Sequence, residues 1–243
     1  MTALTHDSIS LRGAGVVTII QPKHGVRFTL DSLLLADFCR IKPRDRILEL
    51  GAGSGVVSIL LAKKFPKTRV VADEGEPHAY GLLCKNINMN GLADRIVPVD
   101  RDIKYLSRSI GPGAFDVIVA NPPYTRVGTG RTSPIAVRQT ARQDQAAPLH
   151  TWLNRHDLLK NKGRYIIVFS ANRAAEAISL LRERKLEPKS LRFVHPYEHK
   201  PASLILIEAM KSAGIGLEVL PPLVVHEIDG EYTEEMRRIY GHP

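Results

Sequence analysis

Five short runs rich in Val, Ile and Leu, separated by longer amphipathic stretches, constrain this chain more than any other feature. They are RILEL (46–50), RVVAD (69–73), RIVPV (95–99), FDVIVA (115–120) and RYIIVFS (164–170). Nearly continuous apolar runs of this length fit parallel strands buried on both faces. LRFVH (191–195) and SLILIEA (203–209) read as two further strands. Between them, residues 55–64 carry apolar side chains at 56, 57, 59, 60, 61 and 62. Residues 77–90 open on a proline and are followed by Gly91, the start and stop signals of a helix. Residues 148–160 and 173–185 also read as helices. The alternation predicts an open α/β sheet, mostly parallel, with helices on both faces. The first forty residues read as a cap: a short strand near Val16–Ile20, then a helix from about Ser32 to Phe38 with Thr29 or Asp31 as its N-cap.

With 243 residues and no linker, repeat or low-complexity segment, the chain is expected to form a single domain. Residues 1–40 would be the cap, 41–210 the core and 211–243 a C-terminal extension. Lys and Arg number 34 against 25 Asp and Glu, a net charge of +9. That excess is clustered, which points to a polyanionic partner. Two cysteines, Cys39 and Cys84, without metal-ligand spacing imply no disulfide framework and no metal site, and fit a reducing cytoplasm. No run of about eighteen apolar residues is present, so no membrane span is expected, and the first residues carry no apolar core of signal-peptide length. Nothing indicates an obligate protein partner.

The first core strand runs into Glu49-Leu50-Gly51-Ala52-Gly53-Ser54-Gly55. Strand, glycine turn and helix in this order form a nucleotide-binding arrangement, because glycines let backbone approach a ligand closely. Glu49 beside the turn does not suit a phosphate. It suits a cationic, phosphate-free nucleotide such as S-adenosylmethionine, which carries a sulfonium and an amino group. Glu74, at the tip of the second core strand and about twenty residues beyond the turn, is placed to accept both ribose hydroxyls. Asp102, after the third, would sit beside the adenine amino group. These three acids end three successive strands, where ligands of such sheets bind.

The fourth core strand ends in Asn121-Pro122-Pro123-Tyr124. An exocyclic amine on a flat ring is a poor nucleophile, since its lone pair is delocalised. Two acceptors on its N–H groups pull the nitrogen toward tetrahedral geometry and aim the lone pair. The Asn121 side-chain oxygen and the Pro122 carbonyl are candidates, the latter held by the fixed φ of proline, and Tyr124 would stack on the flat substrate. Catalysis of this kind comes from positioning and preorganised dipoles. It fits methylation of a planar nitrogen and does not say which one. Past Tyr124, the segment up to Gln143 holds Arg126, Arg131, Arg138 and Arg142 and no acid. A polyanion presenting a base to Tyr124 would pass along it. A second basic group, Arg182 to Lys200, is diluted by Glu183, Glu187 and Glu198.

The glycine turn with Asn-Pro-Pro-Tyr resembles the class I S-adenosylmethionine-dependent amino-methyltransferases. Within them the chain is similar to the bacterial tRNA1(Val) (adenine(37)-N6)-methyltransferase family. The likeness runs through QPKHGVRFTLDSLLLADF, NPPYTRVGTGRTSP, AVRQTARQD, LEPKSLRFVHPYEHKPASLILIEAMK and LPPLVVHEIDGEYTEEMRRIYG. The resemblance implies a Rossmann-like, seven-stranded sheet with the last strand antiparallel. It implies S-adenosylmethionine as methyl donor and, as target, the adenosine 3′ of the anticodon in a tRNA anticodon stem-loop. It places Glu49, Gly51, Gly53 and Gly55 at the methionine end of the cofactor, Glu74 on the ribose and Asp102 on the adenine. Asn121, Pro122 and Tyr124 would hold the target base, with Asn121 also bordering the cofactor, and Arg27 and Phe28 would help close the pocket. Gly75 stands where the family has an apolar residue against adenine, and Asp73 adds an acid beside Glu74. AVRQTARQD lacks the His-Glu that commonly follows its second arginine. Three other readings stay open: a protein-glutamine N5 methyltransferase, a ribosomal RNA guanine-N2 methyltransferase, and a non-catalytic RNA-binding module on the same fold.

Overall fold

A computed structural model of the chain describes residues 3–24, 28–108, 110–123 and 148–241. Strands β1 (Leu4–Leu11) and β2 (Gly15–Pro22) form an antiparallel hairpin, followed by helix α1 (Leu30–Phe38). The core then alternates β3 (Arg46–Leu50), α2 (Val56–Lys64), β4 (Arg69–Asp73), α3 (Pro77–Met89), β5 (Ile96–Val99) and β6 (Phe115–Ala120). After the segment 124–147 come α4 (Leu149–Leu153), β7 (Leu159–Ser170), α5 (Ala174–Glu183), β8 (Leu186–Tyr197) and β9 (Leu204–Lys211). The chain ends in β10 (Glu218–Val219), β11 (Leu223–His226) and α6 (Glu234–Ile239).

The sheet order is β10-β8-β9-β7-β6-β3-β4-β5, with β11 also on β8. β3 to β7 run parallel, while β9 is antiparallel to both β7 and β8. The seven expected strands are therefore present with the last one reversed. The sheet itself has nine strands, because two short strands of the C-terminal segment extend the edge at β8. The predicted strand near Val16–Ile20 has a partner the sequence reading lacked, β1, whose residues alternate exposed and half-buried. Residues 148–160 are not one helix: α4 ends at Leu153, a 3-10 turn follows over Asn154–Leu158, and Leu159 already opens β7.

Period-two side-chain direction sorts the strand residues into two layers. Ile47, Val117 and Val119 face one cluster with α1, α2, the hairpin and, from the C-terminal segment, Met236 and Ile239. Leu48, Leu50, Ile118 and Ala120 face the other, with Trp152, Leu153, Ala177 and Leu181. The hairpin is tied to α3 by two asparagines one turn apart. Asn86 accepts from Ile20 N–H at 2.7 Å and donates to Ile20 C=O at 2.9 Å. Asn90 treats Thr18 the same way, at 3.3 and 2.8 Å. Their side-chain amides thus serve the free edge of β2 as a neighbouring strand would. No helix among the described residues is long and apolar enough to cross a membrane.

Candidate active site

The carboxyl ends of β3, β4, β5 and β6 lie side by side, since β3 pairs with both β4 and β6, and β4 with β5. Leu50 is in register with Asp73 on one side and Ala120 on the other. The glycine turn, the acids after β4 and β5, and Asn121 therefore converge on one sheet edge.

In the turn, Gly51, Gly53 and Gly55 have φ of 63°, 57° and 88°, a region that disfavours any side chain. Gly51 is also crowded: a Cβ there would lie 2.4 Å from the Trp152 ring. Gly53 is its opposite, with nothing within 4 Å of where a Cβ would point, so its backbone is open to a ligand. Ala52 N–H donates to Asp73 C=O at 2.8 Å, locking the turn to the end of β4.

Glu49 is 4% exposed. Its Oε2 accepts from Ser58 N–H at 2.8 Å and from the Ser58 hydroxyl, so this oxygen is held by the first turns of α2. Burial pushes its carboxyl up to about 8, against the Ser58 hydrogen bonds and with the charge of Glu74 adding to the rise. Glu74 accepts from Gly53 N–H at 2.7 Å on one oxygen and from Glu76 N–H at 2.8 Å on the other. Its carboxyl is raised by burial. Asp102 is exposed and caps the 3-10 turn Ile103–Arg108 through Lys104 N–H at 2.8 Å.

Asp73 is 1% exposed and its Oδ1 is buried without a partner. Burial pushes its carboxyl up to about 8, the charges of Glu74, Asp102 and Asp100 add to the rise, and Arg155 opposes it. The departure at Gly75 has a steric reason. A Cβ there would meet Arg101 C=O at 2.7 Å, so the backbone after β5 occupies the space a side chain would need.

Asn121 is half-buried, Pro122 buried and Pro123 exposed. The Asn121 Nδ2 donates to the Ser32 hydroxyl of α1 at 3.3 Å. Phe28 is half-buried against the core, its N–H donating to Gln21 Oε1 at 3.1 Å. Arg27, Tyr124, Arg126, Arg131, Arg138 and Arg142 lie outside the described residues. The sequence reading missed three neighbours of the site: Ser32, Asp73 as a buried group, and Trp152. Only the last two carried a signal, an acid closing an apolar strand and the one tryptophan of the chain.

This edge fits S-adenosylmethionine and not a phosphate-bearing cofactor. Glu49, Glu74, Asp73 and Asp102 set negative charge or carboxyl oxygens around an open glycine backbone, which attracts a cation, satisfies hydroxyls and repels phosphate. Among the described residues no group of His, Cys, Asp or Glu is arranged to hold a metal ion.

Comparison with known proteins agrees with this geometry. The chain is 28% identical over 229 residues to the tRNA1(Val) (adenine(37)-N6)-methyltransferase of Bacteroides thetaiotaomicron, covering 93% of this chain and 94% of that protein. It is 29% identical over 224 residues to the protein of the same name from Porphyromonas gingivalis strain ATCC 33277, covering 88% and 87%. The solved structure of a predicted O-methyltransferase from Agrobacterium tumefaciens shares the fold, with a TM-score of 0.71 and 18% identity over 87% of this chain and 95% of that one. Residues 27–184, which hold the glycine turn, the acids and Asn121, match the model of the methyltransferase small domain family, and the chain belongs to that family.

Proposed function

We propose that the protein methylates the exocyclic N6 amine of an adenine in tRNA, the adenosine 3′ of the anticodon, using S-adenosylmethionine. One observation supports this most: an asparagine amide at the end of β6 adjoins, through the β3–β6 pairing, a glycine turn ringed by acids. The relatives named above supply the substrate class, and the tRNA pool places the work in the cytoplasm.

When bound, S-adenosylmethionine supplies an electrophilic methyl carbon on a sulfonium. Glu49 and the turn 51–55 would hold its methionine end, Glu74 its ribose and Asp102 its adenine. Asn121 Oδ1 and the Pro122 carbonyl would each accept one N–H of the target amine, which localises the nitrogen lone pair. After attack the nitrogen carries a positive charge and loses a proton to water, so no side chain need act as base. Tyr124 would stack on the base, and Arg126, Arg131, Arg138 and Arg142 would contact RNA phosphates; Arg27 and Phe28 would close the entrance. Recognition of an anticodon loop suits this site, since splayed bases are what such enzymes read and extrude.

The test uses tRNA from cells lacking the protein, incubated with it and methyl-labelled S-adenosylmethionine, then digested to nucleosides. Label in N6-methyladenosine at the position 3′ of the anticodon is the expected result. Label in a guanosine, or in protein glutamine, would overturn the assignment of the acceptor.

A further inference from the structure

We infer that Ser32 is a positioning residue for the methyl-transfer step: its hydroxyl holds the Asn121 amide so that Oδ1, and not Nδ2, faces the target amine. This rests on the reading that Asn121 Oδ1 accepts from that amine.

A primary amide is chemically two-sided. Its oxygen accepts and its nitrogen donates, and a half-turn about the last side-chain bond exchanges them. Only one of the two orientations can accept an N–H from the substrate. The other points hydrogens at hydrogens. Pro122 fixes the backbone beyond Asn121 but leaves that torsion free. What biases it is the bond from Nδ2 to Ser32 Oγ, at 3.3 Å and across 89 residues of sequence.

The helix that carries Ser32 is suited to the task. Ser32 is 8% exposed, and Leu33, Leu34, Leu35 and Ala36 behind it are at most 2% exposed. Its own N–H donates to Thr29 C=O at 3.1 Å. At the other end of α1, Lys64 Nζ donates to Ala36 C=O, Asp37 C=O and Asp37 Oδ1 at 3.3, 3.0 and 3.1 Å. A hydroxyl on an element fixed at both ends holds a partner better than one on a loop. The N-terminal cap thereby reaches into the chemistry, although no residue of it was singled out as catalytic by type.

A single hydrogen bond of this kind biases orientation by roughly threefold to tenfold. Ser32→Ala should therefore lower kcat by that factor, with KM for tRNA and affinity for S-adenosylhomocysteine unchanged, and Ser32→Thr should restore most of it. A merely structural Ser32 would act alike whatever stands at 121. A carboxylate accepts on both oxygens and needs no orientation, so in an Asn121→Asp background the added Ser32→Ala should cost nothing further. Ser32→Ala at the wild-type rate, an equal loss in both backgrounds, or, if Asn121→Asp is too slow to rank, no difference between Ser32→Thr and Ser32→Ala would overturn the inference while leaving the site reading intact. An Asn121→Ala variant as active as wild type would overturn the site reading and this inference with it.

Discussion

Glu74 reaches from the end of β4 to the glycine turn after β3, where its Oε2 accepts the Gly53 N–H at 2.7 Å. The same carboxylate takes Glu76 N–H at 2.8 Å on its other oxygen. It therefore braces the turn that a cofactor would lie against, in addition to offering oxygens to a ribose. Glu74→Ala removes both acceptors. It should weaken S-adenosylhomocysteine binding by more than tenfold and cost about 1–3 kcal/mol of stability, since two backbone donors lose their partners. Glu74→Gln keeps one acceptor and should lose affinity with a smaller change in stability. Calorimetry and urea melts on both variants separate the two effects. Equal affinity in all three proteins would mean the ribose is held elsewhere.

Glu49 and Asp73 give the fold a pH dependence of unusual sign. Burial raises each carboxyl to about 8, above the value near 4 of an unfolded chain. Each group binds its proton more tightly folded than unfolded, so its contribution is full below about pH 4 and is lost as pH rises through about 8. The denaturation midpoint of the ligand-free protein should fall across that window. Glu49→Gln and Asp73→Asn should each flatten the fall, and the difference from wild type isolates the group from other titrations. A cationic cofactor favours the ionised form of Glu49, so S-adenosylmethionine affinity should rise over the same interval, and less so in Glu49→Gln. A pH-independent difference between wild type and both variants would contradict this account.

How far the sequence disclosed this molecule depended on whether the information was local. The runs at Arg46–Leu50, Arg69–Asp73 and Phe115–Ala120 are strands at those bounds, because a strand buried on both faces must be apolar throughout. β1 was not seen: LTHDSISL is polar at most positions, and only its pairing with β2 makes it a strand. The 148–160 segment misled because α4, a 3-10 turn and the start of β7 follow one another without a glycine or proline between them. Within the site, glycines and acids were legible by type and spacing. Contacts between distant segments were not. Ser32 and Asn121 are one case. Trp152 against Gly51 is another, since nothing near position 152 marks it as the wall of a turn a hundred residues earlier.

Gly75 tests whether a departure from a family pattern is tolerated or required. A Cβ at 75 would sit 2.7 Å from Arg101 C=O and 3.3 Å from Asp102 Cα, both backbone and so unable to swing aside. Gly75→Ala should cost about 1–3 kcal/mol, in the range of overpacking elsewhere. It should also weaken cofactor binding by displacing Asp102. An alanine at 75 that raised affinity would show that the loop after β5 moves away readily and that the glycine is dispensable.

Asn86 carries the attachment of the N-terminal hairpin. It is fully buried, and besides its two bonds to Ile20 its Nδ2 donates to Ser54 C=O in the glycine turn at 2.8 Å. One side chain thus joins hairpin, α3 and turn. Asn86→Ala leaves one donor and two acceptors of the backbone unpaired, and should cost about 3 kcal/mol by urea denaturation. Asn86→Asp keeps the acceptor for Ile20 N–H but sets a carboxyl against the carbonyls of Ile20 and Ser54, so it should be no better than alanine at neutral pH and should improve on acidification, as its proton becomes a donor. Asn90→Ala is the control. Asn90 makes the same pair of bonds to Thr18, with a longer 3.3 Å acceptor contact and no tie to the turn, so it should destabilise less and leave cofactor affinity unchanged. If Asn86→Ala lowers stability without altering S-adenosylhomocysteine binding, the Ser54 contact serves the hairpin alone. A loss of both, seen in Asn86→Ala and not in Asn90→Ala, means that seating the hairpin and shaping the cofactor turn are one event.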